Sequence, residues 1–223
     1  MTQLSYEIAW DLVASSIPAL LKGAVGTLEL TALSVSIGLV VGISGAAARV
    51  GAIPALRSLT RAYVEIIRNT PMLVQLYFVY YGLPRLGLRL DSDLTALIAL
   101  SLYCGAYVVE IIRAGIEAVP RGQVDAARAL GLSEFSVFSR VVLPQALRTS
   151  FPALGGQVIV MLKISSLASV IGAVELTYFA IDLVAQTYRA FEFYALVGLI
   201  YLCLTLAVGA INRRIESRLR TPS

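Results

Sequence analysis

Few residues in this 223-residue sequence could carry out chemistry, and their scarcity excludes several classes of site. There is no histidine, which excludes histidine metal sites and both Ser-His-Asp and Cys-His catalysis. The two cysteines, Cys104 and Cys203, lie in apolar runs and are interpreted as buried small hydrophobes rather than as a disulfide or a zinc site. Neither of the two lysines, Lys22 and Lys163, follows a glycine, so the chain has no phosphate-binding loop. We therefore expect no catalytic residue, no metal site and no ATP hydrolysis by this chain alone.

The most informative charged residue is Lys163, which lies in the apolar segment MLKISSL after a glycine pair at 155–156. A charge inside a membrane segment is a functional candidate, and interrupted helices are where membrane transporters build binding sites. The ammonium of Lys163 could pair with a substrate carboxylate, while Ser165 and Ser166 add hydrogen bonds. The alternative is a structural ion pair with an internal carboxylate, such as that of Glu29.

Other polar residues could line the same pathway. Gln75 could face it and donate to a substrate, and Tyr107 is a second lining candidate. Thr70 opens a predicted span before Pro71, where a helix cap explains much of the pattern. Glu29 could be a pore-lining acid, a partner for Lys163, or a residue at the level of the lipid headgroups.

The elements that must position these residues are membrane helices. Hydrophobic residues make up 58% of the chain, charged residues only 14%, and the mean hydropathy is +0.80, which argues against a soluble domain. The apolar runs are numerous and long enough for a single all-α membrane domain covering residues 1–223. The five predicted spans are residues 23–48, 69–86, 92–113, 149–174 and 193–212.

The arginines predict the orientation of these spans, because basic residues are enriched in cytoplasmic loops. With the N-terminus outside and the C-terminus inside, thirteen of the 18 basic residues fall on the inner side. They are Arg49, Arg57, Arg61, Arg68, Arg113, Arg121, Arg128, Arg140, Arg148, Arg213, Arg214, Arg218 and Arg220. The basic balance therefore indicates a membrane protein rather than nucleic-acid binding.

Two local patterns predict how the first spans pack. Residues 50–68 have helical apolar spacing with charges between, which is typical of an amphipathic helix at the cytoplasmic interface. Gly38, Gly42 and Gly45 in the first span are small residues at a spacing that permits close helix approach. Glu110 and Arg113 are three residues apart on one helix, which predicts a local ion pair.

The largest predicted cytoplasmic loop, residues 120–146, contains a helix–glycine–helix pattern. A first helix is predicted from Val124 to Leu130, ended by Gly131. Ser133 and Glu134 can begin a second helix that runs to about Val142. This loop is longer than a simple connection needs, so we interpret it as a docking element for a cytoplasmic partner; a generic amphipathic loop is the alternative.

The same loop resembles the EAA signature of permease subunits of ABC importers. The resemblance rests on Asp125-Ala126-Ala127, on Gly131 four residues later, and on Leu143-Pro144. Three further stretches are similar to the polar amino acid permeases: VEIIRNTPMLVQLYFVYYGLP, GAYVVEIIRAGIEAVPRGQ and VVLPQALRTSFPALGGQVIVMLKISSL. The matches cover more than half of the core, and this chain differs by having Asp125 where Glu is common and Ile164 where an acid is usual.

The resemblance implies a type I ABC importer permease fold and a transporter subunit without enzymatic activity. It implies that the 122–144 loop couples the chain to a separate ATPase, which binds ATP and Mg, through Asp125, Ala126, Ala127, Gly131, Leu143 and Pro144. It also implies a second permease subunit, two ATP-binding subunits, an extracytoplasmic binding protein and a bacterial inner membrane location. Alternating access would move a polar amino acid. The competing hypothesis is a stand-alone secondary carrier or channel for small polar solutes.

Overall fold

The computed structural model describes residues 9–50 and 53–219, and its secondary structure there consists of helices. The helices are α1 (Trp10–Val50), α2 (Pro54–Arg68), α3 (Met72–Gly82), α4 (Ser92–Glu117), α5 (Arg121–Ala129), α6 (Glu134–Val137), α7 (Leu143–Ile164), α8 (Leu176–Thr187) and α9 (Ala190–Leu219). Short 3-10 turns at Leu83–Leu86 and Ser165–Ile171 and a π turn at Phe138–Val142 join some of them. Arg220, assigned above to the inner side, and residues 51–52 of the predicted interfacial segment lie outside the described residues.

Four helical segments in the described ranges are long and apolar enough to cross a membrane. They are Trp10–Arg49, Ser92–Glu117, Glu134–Ile171 and Ala190–Arg218. The remaining predicted span, residues 69–86, forms α3 and a 3-10 turn. The 11 residues of α3 extend only about 16 Å, against a hydrocarbon thickness of roughly 30 Å. Five spans and the inside–outside orientation therefore stay predictions.

Helix α1 is longer than the predicted first span, because it begins at Trp10 rather than near residue 23. Lys22 does not end it, since this side chain is exposed on the helix surface, and Pro18 is accommodated inside the helix. The 41 residues of α1 extend about 60 Å, twice the hydrocarbon thickness.

Helix α4 forms the centre of the fold and packs against α1, α2, α3 and α7. The predicted close approach of α1 is confirmed: a Cβ added at Gly38 would lie 2.6 Å from the Cβ of Cys104, and one at Gly42 2.3 Å from Cγ1 of Val108. Cys104 is buried in this contact, as expected. The same interpretation is wrong for Cys203, which is exposed because α9 packs at the edge of the bundle.

A buried carboxylate ties three helices together near the start of α8. The side chain of Glu175 caps α8 by accepting a hydrogen bond from the Tyr178 amide at 2.9 Å. It also accepts hydrogen bonds from the hydroxyls of Tyr201 at 2.7 Å and Thr27 at 3.3 Å. The Thr27 hydroxyl in turn accepts from the amide of Leu176 at 3.0 Å, so α1, α8 and α9 meet at one polar clamp.

Helix α2 divides its apolar residues between two faces. Val64 and Ile67 pack against α4, where the Tyr63 hydroxyl donates to the carbonyl of Leu102. Leu56 and Leu59 are exposed on the other side. The predicted helix is therefore present, with an uncovered apolar stripe beside its arginines.

Candidate functional site

The helix–glycine–helix of the 120–146 loop has the geometry that the sequence predicts. Helix α5 ends at Gly131, whose φ of 78° lies in the left-handed region that favours glycine. Its amide donates to the carbonyl of Arg128 at 2.9 Å, and the amide of Leu132 donates to the carbonyl of Ala127 at 3.3 Å. These two bonds satisfy carbonyls at the end of α5 and fix the direction of the chain that follows.

The second helix of the loop begins as expected and then joins α7 directly. The hydroxyl of Ser133 accepts from the Ser136 amide at 3.3 Å, which makes Ser133 the N-cap of α6. The π turn Phe138–Val142 then leads into α7, so the chain is helical from Glu134 through Leu143 and Pro144. The loop is therefore a short arm rigidly continuous with a membrane helix.

A bidentate ion pair connects the two helices of the arm, α5 and α6. The Nε and Nη2 atoms of Arg128 lie 2.7 and 3.0 Å from the two carboxylate oxygens of Glu134, and Nη1 lies 3.6 Å from Asp125. The hydrogen bond to Glu134 is the main reason why the pKa of the Arg128 guanidinium is raised. Asp125 itself is largely exposed at this end of the arm.

The small residues of the arm do not all face outward. Ala126 is exposed, but Ala127 is buried against Val137 and Val142 and holds α5 onto the base of α7. The outward surface instead carries two large apolar side chains: Leu130 is 82% exposed and Phe135 is 79% exposed. The sequence reasoning missed both, although apolar residues on either side of the glycine break were the available signal.

Lys163 lies on an exposed face of α7. Thr149, Ala153, Gly156 and Val160 share this face at helical spacing, and all are exposed. The two serines do not point from it as expected: Ser165 is buried and donates to the carbonyl of Leu162, and Ser166 donates to that of Lys163. Their hydroxyls are used by the 3-10 turn that follows α7.

The glycine pair at 155–156 does not interrupt the helix, since α7 continues through both residues. Gly155 instead allows α9 to approach, because Asn212 donates from Nδ2 to its carbonyl at 2.7 Å. Gly156 faces open space, where an added Cβ would meet no atom within 4 Å. The change of helix type occurs later, at Ser165.

Glu29 does not pair with Lys163 in this structure. Neither residue takes part in an ion pair within residues 9–50 and 53–219. Glu29 lines a separate cavity of about 460 Å³ together with Asp91 and Asp93. Asp91 caps α4 through the Leu94 amide at 2.7 Å, and Asp93 accepts from the Val174 amide at 2.7 Å.

Thr70 and Gln75 hold the junction between α2 and α3. The Thr70 hydroxyl donates to the Ile66 carbonyl at 2.8 Å, so it completes the end of α2 and does not cap α3, whose N-cap is Pro71. The Nε2 of Gln75 donates to the Ile67 carbonyl at 2.7 Å and to the Thr70 hydroxyl at 2.8 Å. The amide nitrogen of Gln75 is thus engaged by the junction.

Tyr107 borders an arginine cluster that the sequence only partly predicted. The local pair is confirmed: the Nη2 of Arg113 lies 2.9 Å from the carboxylate of Glu110. Glu110 also accepts a hydrogen bond from Arg49 of α1 and lies 3.5 Å from Nη1 of Arg68. The guanidinium carbon of Arg68 lies 5.3 Å from the centre of the Tyr107 ring, within cation–π range.

This cluster joins helices that are distant in sequence. Arg49, Arg68 and Glu110 come from the ends of α1 and α2 and from the last third of α4. A cavity of about 470 Å³ lies among them, and a second of about 390 Å³ continues to Thr149 and Ala153 of α7. Arg49 and Arg68 were assigned above only to the inner side, since no local spacing links them to Glu110.

Comparison with known proteins gives a consistent result. The sequence model of the family described as "Binding-protein-dependent transport system inner membrane component" matches residues 34–221. The nopaline transport system permease protein NocM of Agrobacterium fabrum is 40% identical, over 90% of this chain and 88% of that protein. The glutamine transport system permease protein GlnP of Escherichia coli is 36% identical, over 95% and 97%. The arginine transport system permease protein ArtQ of Bacillus subtilis is 36% identical, over 92% and 94%.

Solved structures share the fold. The crystal structure of an amino acid ABC transporter with histidines aligns with a TM-score of 0.92 at 38% identity, covering 96% of this chain and 100% of that chain. An inward-facing structure of the MetNI methionine ABC transporter aligns with a TM-score of 0.76 at 21% identity, covering 93% and 99%. The second likeness concerns the fold alone.

Proposed function

The chain belongs to the family of binding-protein-dependent transport system inner membrane components, and on this premise we propose how it works as a permease subunit of an amino acid ABC importer. It translocates a polar amino acid or a close analogue across the bacterial inner membrane by alternating access. The energy comes from a separate ATPase, which binds ATP and Mg²⁺ and engages the arm formed by residues 122–144. The permease chain itself catalyses no reaction.

The main support for the coupling role is the exposed tip of the arm, formed by Leu130, Gly131 and Phe135. Leu130 and Phe135 present apolar surface on both sides of Gly131, and exposed apolar side chains of this size favour a protein partner. The Arg128–Glu134 pair and the continuity of α6 with α7 make the arm stiff. A displacement of the tip is therefore transmitted to α7, the helix that contains Lys163. Asp125, Ala126, Gly131, Leu143 and Pro144 form this arm, with Ala127 as its internal support.

The topology that fits this role has the N-terminus outside and the C-terminus inside, so that the arm meets a cytoplasmic ATPase. We propose five crossings, with α3 and its 3-10 turn as the second and shortest. A short crossing is tolerable where neighbouring helices, rather than lipid, surround the backbone. Spans at about residues 23–48, 69–86, 92–113, 149–174 and 193–212 are the membrane-embedded parts of these crossings.

The complete importer contains further chains. We propose a second permease subunit, identical or homologous, two ATP-binding subunits on the cytoplasmic side, and a substrate-binding protein on the other side. The substrate pathway runs along the face of α7 that carries Lys163, with Tyr107, Gln75 and Thr70 near its course and with Ser165 and Ser166 fixing the backbone beside Lys163. Glu29 lines a separate cavity with Asp91 and Asp93 and is not part of this pathway.

Reconstitution tests the proposal against the alternative of a stand-alone carrier or channel. The importer should take up amino acids into liposomes only with its ATPase, ATP and binding protein present, and the binding protein loaded with the correct amino acid should stimulate ATP hydrolysis. Testing the 20 common amino acids identifies the substrate. Uptake by the purified chain alone would support the carrier instead.

A second test addresses the arm directly. Gly131→Arg should abolish transport while membrane insertion remains, because it places a charged side chain at the apolar tip. The matched control is Gly87→Arg: Gly87 also has a left-handed φ, of 83°, and no atom near an added Cβ, but it lies beside the 3-10 turn after α3. Equal transport by both variants would contradict the coupling role.

A further inference from the structure

The exposed face of α7 connects Lys163 with the arginine cluster. Thr149, Ala153, Gly156, Val160 and Lys163 follow one another at intervals of four and three residues, so they form a single stripe on the helix. From Thr149 to Lys163 the stripe is about 21 Å long. A lysine is costly to expose to hydrocarbon, so this stripe is better suited to a water-filled path than to lipid.

At its far end the stripe enters the cavity of about 390 Å³ that Thr149 and Ala153 line together with Arg68 and Tyr107. The neighbouring cavity of about 470 Å³ shares Arg68, Tyr107, Glu110 and Arg113 with it, so the two are adjacent parts of one concave region. A solute that follows the stripe away from Lys163 therefore arrives at guanidinium groups.

Positive charge is in excess in this region. Four arginines line the larger cavity, namely Arg49, Arg61, Arg68 and Arg113, against two carboxylates, Glu65 and Glu110. A third carboxylate, Glu117, lies 2.5 Å from Nη1 of Arg113 and still leaves the arginines in the majority. Because the arginines outnumber the carboxylates, the cavity has a net positive charge that favours entry of an anion.

Arg68 is the arginine best placed to receive that anion. Arg49 is engaged with Glu110 and only 16% exposed, and Arg113 is held by both Glu110 and Glu117. Arg68 is 41% exposed, and its ion pair within the described ranges is a single contact of 3.5 Å to Glu110. Its planar guanidinium can therefore offer paired N–H donors to a carboxylate while it lies over the Tyr107 ring.

We propose that Arg68, supported by Arg113 and Tyr107, forms a second carboxylate-binding station, to which the α-carboxylate of the transported amino acid passes after it leaves Lys163. The station lies at the inner end of the pathway, where the substrate is released. This inference rests on the proposed function for the identity of the carboxylate, but the site itself is a property of this chain.

Acetate tests the station, because it carries the carboxylate shared by all α-amino acids and no side chain. The assay uses the complete nucleotide-free transporter in phosphatidylcholine nanodiscs, and acetate binding is measured by NMR line broadening of [¹³C]acetate. Arg68→Gln should raise the acetate dissociation constant at least fivefold, while Arg68→Lys, which keeps the charge, should have a smaller effect.

Arg57→Gln is the matched control, since it removes a positive charge from the same helix but lines neither of the two cavities that Arg68 borders. Acetate should bind this variant within twofold of the unmodified complex. The proposed carboxylate station would be refuted if Arg68→Gln and Arg57→Gln bound acetate with equal affinity. It would also be refuted if the unmodified complex showed no saturable binding of acetate.

Nanodiscs that contain anionic phosphatidylglycerol separate a substrate site from a lipid site. If acetate binds equally in both kinds of nanodisc, the station is open to solutes, as proposed. If the anionic lipid abolishes acetate binding, the cluster holds a lipid phosphate and the substrate role is refuted. Failure of the proposed function would be detected in a different measurement, as a lack of ATPase stimulation by the loaded binding protein.

Discussion

Replacing Gly42 by alanine should break the contact between α1 and α4, the helices that form the centre of the fold. The added Cβ would lie 2.3 Å from Cγ1 and 2.4 Å from Cβ of Val108, whereas carbon atoms pack at roughly 3.5–4.0 Å. A rotation of Val108 about χ1 moves Cγ1 but not Cβ. The helices themselves must therefore separate by more than 1 Å, on the order of the missing distance.

The free-energy cost of separating the two helices can be estimated. Overpacking a well-packed core costs about 1–3 kcal/mol, and the better helix propensity of alanine offsets roughly 1 kcal/mol. We expect a net destabilisation of up to about 2 kcal/mol, which for a chain of this size lowers the melting temperature by up to roughly 8 °C. Thermal melting of the detergent-solubilised complex, followed by size-exclusion chromatography, measures this shift.

Two further variants identify the contact responsible. Gly198→Ala on α9 is the matched control, because an added Cβ there would meet no atom within 4 Å, and it should melt at or slightly above the temperature of the unmodified complex. Val108→Gly removes the opposing Cβ, so Gly42→Ala should be much less destabilising in that background. If Gly42→Ala and Gly198→Ala have the same melting temperature, the close approach of α1 and α4 is not what stabilises the fold.

Three other predictions concern the pathway, the arm and the polar clamp at Glu175. Lys163→Ala should abolish substrate-stimulated ATP hydrolysis by the assembled complex, and normal stimulation with normal substrate affinity would make this lysine structural. Gly131→Ala should speed hydrogen exchange of the amides at the α5 end, on the order of tenfold, because a left-handed alanine costs about 1–2 kcal/mol, whereas Gly122→Ala, within α5, should not. Burial raises the pKa of the Glu175 carboxyl, so its contribution to stability is greatest below its ordinary pKa of about 4.3 and is lost as the pH rises through the raised value. The melting temperature of Glu175→Gln relative to the unmodified chain should therefore rise with pH. A difference in melting temperature that does not change with pH would contradict this.

Local chemistry made part of the structure predictable. Gly131 ends α5 because only a residue without Cβ adopts a left-handed turn at little cost, and Ser133 caps α6 because its hydroxyl reaches the amide three residues on. Gly38 and Gly42 were identifiable as packing positions because their spacing places them on one face of a helix. Each of these features depends on a few consecutive residues.

Features that depend on distant partners were not predictable in this way. Arg49 and Glu110 are 61 residues apart in the chain, and Thr27 is 148 residues from Glu175, so no local period connects them. The role of Gly155 as the contact surface for Asn212 of α9 was not apparent either, because it depends on tertiary packing.

The two polar anchors of α1 have a mechanical consequence. Thr27 bonds to Glu175 and Arg49 bonds to Glu110; the two residues are 22 positions apart in the helix, about 33 Å, which is close to the thickness of the hydrocarbon layer. The helix is thus held at two points that lie about one hydrocarbon thickness apart, and it cannot slide along its axis without releasing one of them. During a transport cycle α1 and α4 should swing as one stiff body, which confines the hinges to the connections around α3, the arm and the turn after Lys163.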